Sequence, residues 1–328
     1  MGSAPTISVV VPMYNEAGNI DMFYKRLAHI LQEMGESYEI ICVNDGSKDS
    51  TAAKLYMLHR KDPGVKVINL SRNFGKEIAL TAGLDFSTGE AVIPIDADLQ
   101  DPPELIPELV AKWREGFDVV YATRLQRNGE SWLKKATAKA FYRVAKRLSK
   151  VDIPQDTGDF RLMSKPVVEA LKQLREQHRF MKGLFSWVGF NQANIYYNRE
   201  PRFAGRTKWN YWKLWNFALE GITSFSYAPL QAATYMGLFI SLSAFAYASY
   251  IFFNTLIYGN PVPGYPSLMV VILFLGGVQL LTLGLIGEYI GRIYNESKRR
   301  PLYFVREAQG FTEIKQYNKD ARKHALVR

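Results

Sequence analysis

The chain has one cysteine, Cys42, among its 328 residues. It lies in the apolar run Ile40-Ile41-Cys42-Val43, can form no internal disulfide and reads as a buried structural thiol. The four histidines, His29, His59, His178 and His324, are scattered, and no pair has metal-ligand spacing. Two glycine-rich phosphate cradles are missing. There is no Gly-x-Gly-x-x-Gly, and Gly75-Lys76 is followed by Glu77 where a P-loop needs Ser or Thr. A dinucleotide oxidoreductase and a P-loop NTPase are therefore set aside. No signal peptide is expected, because the short N-terminus runs straight into a strand. Charge is missing from one long window: no Asp, Glu, Lys or Arg occurs between Glu220 and Glu288.

Elsewhere charge is plentiful and biased, with a formal net charge of +10. Such a balance suits nucleic acid, an anionic membrane or phosphorylated ligands. Ile7–Pro12, Tyr38–Val43, Val65–Leu70, Ala91–Ile95 and Asp118–Ala122 read as short buried strands. Between them, helical spacing is expected from Ile20 to Leu31, over Ala52–Arg60, from Lys76 to Phe86 and over Glu104–Glu115, with Pro102 and Pro103 at the last start. Asp49, Ser50 and Thr51 offer helix caps. This alternation predicts an α/β domain with a mostly parallel sheet and helices on both faces.

In such a sheet the strands' carboxyl ends share one edge, where ligands bind. Four of these ends carry reactive side chains: Asn15 and Glu16, Asp45, Asn73 and Lys76, then Asp96 and Asp98. Asp96-Ala97-Asp98 could be a merely solvated acidic loop. Its convergence with the other three ends favours a divalent cation between the carboxylates, since hard oxygens with few protein contacts suit Mg²⁺ or Mn²⁺ bridging to phosphates. Without glycine-rich amides, a diphosphate needs this metal, Lys76 and arginines as counter-charge.

Pro12-Met13-Tyr14-Asn15-Glu16, Val43-Asn44-Asp45-Gly46-Ser47-Lys48-Asp49-Ser50-Thr51 and Asp96-Ala97-Asp98-Leu99-Gln100-Asp101 resemble the inverting family 2 glycosyltransferases of GT-A (Rossmann-like) fold. Asn73-Phe74-Gly75-Lys76 and Gly158-Asp159-Phe160-Arg161-Leu162 resemble the branch that uses polyprenyl phosphates (bactoprenol or dolichol phosphate), most closely the bacterial bactoprenol glucosyltransferases. The resemblance implies a nucleotide-sugar site at Pro12, Tyr14, Asn15, Glu16, Asp45, Ser71, Asn73, Lys76, Asp96, Ala97 and Asp98. Glu16 would hold the ribose hydroxyls and Asp45 would accept from the base. Asp96, Asp98 and Gln100 would place the metal. Helix capping is preferred for Asp49 and Thr51. Asp159 is the implied catalytic residue beside the acceptor and Asp156 the runner-up. A lipid phosphate, with a second pKa of about 6, hardly needs deprotonating, so Asp159 can serve by orienting it. No Arg-Trp pair of the processive synthases occurs, which favours transfer of a single sugar.

The acceptor and diphosphate need cations, and Arg124, Arg127, Arg161, Arg206 and Lys208 are the candidates. Ala204–Trp209 resembles a family Gly-Glu-Ser-Lys element, with Arg206 in place of the acid, so Lys208 is the better match. Ser131–Ser149 reads as a basic helix suited to anionic headgroups.

Six regions are expected: a catalytic domain over 1–208, an aromatic interfacial helix over 209–227, a membrane span over 228–253, an uncharged turn over 254–267, a second span over 268–291 and a basic tail over 292–328. Each span exceeds the roughly 30 Å of a hydrocarbon core. Basic residues flank both outer ends, which places both termini and the catalytic domain in the cytoplasm, most simply at a bacterial plasma membrane. The donor is read as UDP-glucose and the acceptor as undecaprenyl phosphate. A GDP-mannose-dependent mannosyltransferase is the alternative within the class, and a non-catalytic nucleotide-binding scaffold the alternative outside it. Nucleic acid is not an expected partner, because the basic residues cluster near the spans; a homo-oligomer is left open.

Overall fold

The computed structural model describes residues 5–125, 157–177, 179–197, 228–259 and 264–311. Arg127, Asp156, Arg206, Lys208, the basic helix at 131–149, the interfacial helix at 209–227 and the tail beyond 311 lie outside them.

β1 (Ile7–Met13), β2 (Tyr38–Asn44), β3 (Val65–Leu70) and β4 (Ala91–Pro94) form the parallel heart of the sheet, in the order β4-β1-β2-β3. Their β-branched runs alternate between two cores, as a strand's two-residue period requires. Ile7, Val9, Val11 and Met13 of β1 face one core, Val10 the other. α1 (Ile20–Glu33), α2 (Thr51–Lys61) and α4 (Ile106–Arg114) supply Phe23, Leu27, Leu55 and Leu109 to the first core. The second core takes Leu80 of α3 (Lys76–Phe86), Leu171 of α5 (Lys165–Gln173) and Phe185 of α6 (Met181–Trp187). α3 lies so close to β1 that a Cβ on Gly83 would stand 2.1 Å from Val10 Cγ1.

The eight strands follow the order β7-β5-β6-β4-β1-β2-β3-β8. β1 has β2 on one side and β4 on the other, so the chain direction reverses there and opens a crevice at the carboxyl ends of β1 and β4. The parallel pattern breaks beyond β4. β6 (Thr157–Ser164) inserts antiparallel between β4 and β5 (Val119–Arg124), and β7 (Gln192–Tyr197) runs parallel to β5. Four of the seven pairings are parallel. The five expected strands are present, but β5 does not neighbour β4.

After β7 come α7 (Ala228–Tyr258) and α8 (Tyr265–Ser297). Within them, Ala233–Tyr258 and Val270–Ser297 have mean hydropathies of 1.6 and 2.3 and are not buried by the rest of the chain. Both are long and apolar enough to cross a membrane. The chain then returns to the sheet as β8 (Val305–Gln309), antiparallel to β3. The register sets Val305 opposite Leu70, the last residue of β3. The end of α8 therefore reaches the carboxyl edge of the sheet.

Candidate active site

The loops after β1 and β2 are laced together. Asn15 adopts φ 55°, a left-handed conformation that Asn tolerates better than most residues. Its amide donates to Ser47 Oγ at 2.9 Å, and its side-chain oxygen accepts from Lys48 N at 2.8 Å. Glu16 N donates to Thr51 Oγ1 at 3.0 Å and Ala17 N to Asp49 Oδ2 at 3.3 Å. Of the two residues expected to cap α2, Asp49 bonds one amide at its start, while Thr51 is the first helical residue and its hydroxyl serves the β1 loop instead. Asp49 Oδ1 does accept from Thr51 N at 3.0 Å, but its other oxygen and the Thr51 hydroxyl reach across to the β1 loop. The Glu16 carboxylate accepts from Asn19 Nδ2 at 2.6 Å, with its backbone held as above.

Asp45, 2 % exposed, accepts from Phe74 N at 2.7 Å and Gly75 N at 2.9 Å, one amide on each oxygen. Burial raises its pKa, against the pull of these amides and Arg72. Asp45 thereby fixes the loop that carries Ser71, Asn73 and Lys76. The loops touch closely at Gly46, where φ is +65° and a Cβ would lie 2.5 Å from the Arg72 carbonyl carbon.

Lys76, first residue of α3, is the pivot. Its ammonium bridges Asp96 Oδ2 at 2.7 Å and Asp159 Oδ2 at 2.6 Å, joining the ends of β3 and β4 to β6. Burial opposes the Lys76 charge, but Asp159 and Asp96 hold its pKa well above the usual lysine range. Burial would raise Asp159 too; Lys76, then Lys182, keep it far below the usual carboxylate range. Burial raises Asp96, opposed by Lys76 and reinforced by Asp159. The loop after β4 turns at Leu99, with φ 60°. Ala97 is buried under it, and Asp98 Oδ1 accepts from Gln100 N at 3.2 Å.

Glu77, Lys182, Tyr197 and Asp101, all outside the expected set, join this site with the expected Arg124 and Arg161. Glu77 is pushed up to about 8 by burial and then by the Asp159 charge, and its buried Oε2 has no hydrogen-bond partner among the described residues. Lys182, on α6, shares the field of Asp159, Arg124, Glu77 and Lys76; burial lowers its pKa, with Asp159 opposing. Tyr197 donates to buried Asp101 and accepts from Arg124 Nε at 3.1 Å, which fixes Arg124 at the end of β5. Lys182 is a lone lysine in an apolar stretch and Tyr197 a strand tyrosine, so only the packing of α6 and β7 reveals either. Arg161 is 5 % exposed, bonded to Gly158 O at 2.8 Å and stacked 3.9 Å from the Phe185 ring centroid, with burial pushing it down to about 10.

Among the described residues no three or more His, Cys, Asp or Glu gather into a metal cage. Asp96, Asp98 and Gln100, in the loop after β4, carry hard oxygens of the kind that suit Mg²⁺ or Mn²⁺, with Asp96 Oδ2 held here by Lys76.

Residues 8–172 match the family described as glycosyl transferase family 2, and residues 228–293 match the GtrB C-terminal hairpin. The chain belongs to glycosyl transferase family 2 and is a glycosyltransferase. It is 60% identical to an uncharacterized glycosyltransferase of Synechocystis sp. over 93% of this chain and 96% of that protein. It is 52% identical to the bactoprenol glucosyl transferase of Shigella phage SfV over 92% of this chain and 98% of that protein. Among solved structures, glucosyl-3-phosphoglycerate synthase from Mycobacterium tuberculosis aligns at a TM-score of 0.45 and 22% identity, covering 67% of this chain and 79% of that one.

Proposed function

We propose that this glycosyltransferase moves one hexose, glucose from UDP-glucose, to a polyprenyl phosphate such as undecaprenyl phosphate, with inversion, at the cytoplasmic face of the bacterial plasma membrane. The observation that carries this reading is the register of β8 on β3. It brings the end of an apolar 33-residue helix to the sheet edge that holds the Lys76, Asp96 and Asp159 cluster. A sugar donor in water and an acceptor rooted in lipid can meet at such an edge. The similarity to the bactoprenol glucosyl transferase of Shigella phage SfV supports the same lipid and sugar.

A lipid phosphate oxygen would attack the anomeric carbon as the bond to the nucleotide diphosphate breaks, the electron pair leaving with the diphosphate. The acceptor is largely dianionic above its second pKa of about 6 and supplies its own nucleophile. Asp159, held at low pKa, is a weak proton acceptor, and its role is to position Lys76. Arg124 and Lys182 would bring positive charge to the acceptor, and Glu16 and the Asp45-held loop would seat the nucleoside. Asp96 and Asp98, with Gln100, would hold Mg²⁺ or Mn²⁺, whose chemistry is to stabilise charge on the leaving diphosphate. A homo-oligomer is compatible with this reading.

The test is a transfer assay on the detergent-purified chain with undecaprenyl phosphate, Mg²⁺ or Mn²⁺, and labelled UDP-glucose, UDP-galactose, UDP-N-acetylglucosamine or GDP-mannose. Glucolipid from UDP-glucose, abolished by chelator and by Asp98→Ala, is expected. Product from GDP-mannose alone would replace the donor, and nucleotide binding without product from any donor would overturn the reading.

A further inference from the structure

At the far edge of the sheet, α8 and the loop after β3 enclose a cleft of about 540 Å³, lined by Ser71, Arg72, Phe74, Gln177, Lys298 and Arg300 among others. Its walls are knit across the junction. Gln177 N donates to Glu296 Oε1 at 2.7 Å and Gln177 Nε2 to Arg300 O at 2.5 Å. Ser71 N donates to Phe304 O at 2.9 Å, and Tyr303 Oη to Asp85 Oδ2 at 2.8 Å. Among the described residues its lining includes three cations, Arg72, Lys298 and Arg300, and no acid, the neighbouring Glu296 being taken up by Gln177 N. Arg72 lies 4.0 Å over the Phe74 ring and Lys298 3.7 Å over that of Tyr294, so two of the charges rest on aromatic faces. The candidate span within α8 runs to Ser297, its last turns already carrying Glu288, Arg292 and Glu296, and Lys298 follows at once. In a spanning helix that is headgroup depth, where basic pockets meet lipid phosphates.

The cleft is separate from the reaction centre. Its described lining includes none of Lys76, Asp96 and Asp159, although the loop after β3 runs from the cleft wall at Phe74 to Lys76. We propose that this cleft binds the phosphate of an anionic membrane phospholipid. The proposal rests on reading α7 and α8 as membrane spans. A bound headgroup would brace Arg72 and Phe74, and so the loop whose amides Asp45 holds and which leads into Lys76.

The full chain is reconstituted in nanodiscs of phosphatidylcholine with and without phosphatidylglycerol, and the lipid it retains is identified by native mass spectrometry. Three chains are compared: wild type, the double variant K298Q/R300Q, and R60Q/K61Q, which removes the same charge from the end of α2. Wild type and R60Q/K61Q are expected to retain phosphatidylglycerol over phosphatidylcholine. The preference should fall by roughly tenfold or more in K298Q/R300Q, as suits two cations beside an anionic surface. Wild-type turnover by K298Q/R300Q in phosphatidylcholine discs would show that it is folded. Equal preference in all three chains, or equal loss in R60Q/K61Q, would overturn the site in favour of general surface charge. Binding of sn-glycerol 3-phosphate without any lipid preference would assign a soluble phosphate and overturn the lipid. Release of the chain from membranes by carbonate would overturn the membrane reading itself, a result distinct from the other three.

Discussion

Replacing Asp159 by Asn tests whether this carboxylate is a base or a support. The side chain is 14 % exposed and its Oδ2 lies 2.6 Å from Lys76 Nζ. Asn keeps the shape and removes the charge. The loss is one charge-assisted hydrogen bond, about 1.5–3 kcal/mol, or roughly 10- to 150-fold if fully expressed in the transition state. Removing an obligatory general base costs about 10²–10⁴-fold, which overlaps that range. The pH profile separates the two. Asp159 is ionised throughout the accessible range, since Lys76 and Lys182 outweigh the effect of burial. The acid limb must then come from the acceptor phosphate near pH 6. Initial rates of lipid-linked product between pH 5 and 8 should rise through about 6 and level off, with the same limb in Asp159→Asn at a lower plateau. Complete loss at every pH with nucleotide binding intact, or an acid limb that disappears in the variant, would refute the reasoning.

Glu77 gives an opposite pH signature. Its native pKa of about 8 lies above the ordinary 4.5, so between these values the folded chain holds a proton that the unfolded chain has released. Stability therefore falls as pH rises through that window. Glu77→Gln should match wild type in thermal melts near pH 5 and exceed it increasingly toward pH 8.5; parallel curves would refute the shift and its origin in burial and Asp159. Lys182→Gln should raise the acceptor KM roughly tenfold or more, as for loss of a bond to a charged group, and leave the donor KM unchanged in two-substrate kinetics. Gly46→Ala forces a left-handed backbone, costing about 1–2 kcal/mol, and sets a Cβ 2.5 Å from the Arg72 carbonyl carbon. A lower Tm and weaker nucleotide binding are expected, and calorimetry reads both.

β1 to β4 were legible because each is a compact run of β-branched or small apolar residues ending in a polar loop. β6 was not, because Asp159 and Arg161 interrupt its apolar alternation and the stretch reads as a motif-bearing loop. β8, Val305-Arg306-Glu307-Ala308-Gln309, has no apolar pattern, and only β3 makes it a strand. The site shows the same limit. Acids at strand ends announced a cleft, but that Asp45 grips the Phe74 and Gly75 amides depends on where the β3 loop folds. Lys76 could be named as a counter-charge from its place after a strand. Its bridge between Asp96 and Asp159 needs β6 beside β4, which no local signal gives. Glu77 and Lys182 became visible only through that same arrangement.

The pairing of β8 with β3 also sets an order of events during synthesis. The sheet cannot be completed until both apolar helices have emerged from the ribosome, because its eighth strand is encoded after them. Until then β3 presents unsatisfied backbone donors and acceptors, a template for wrong association. If the hairpin inserts in a membrane as proposed, its insertion and completion of the sheet are one coupled process. A chain cut before Tyr303 would lack both the strand and the Tyr303–Asp85 hydrogen bond that anchors its approach.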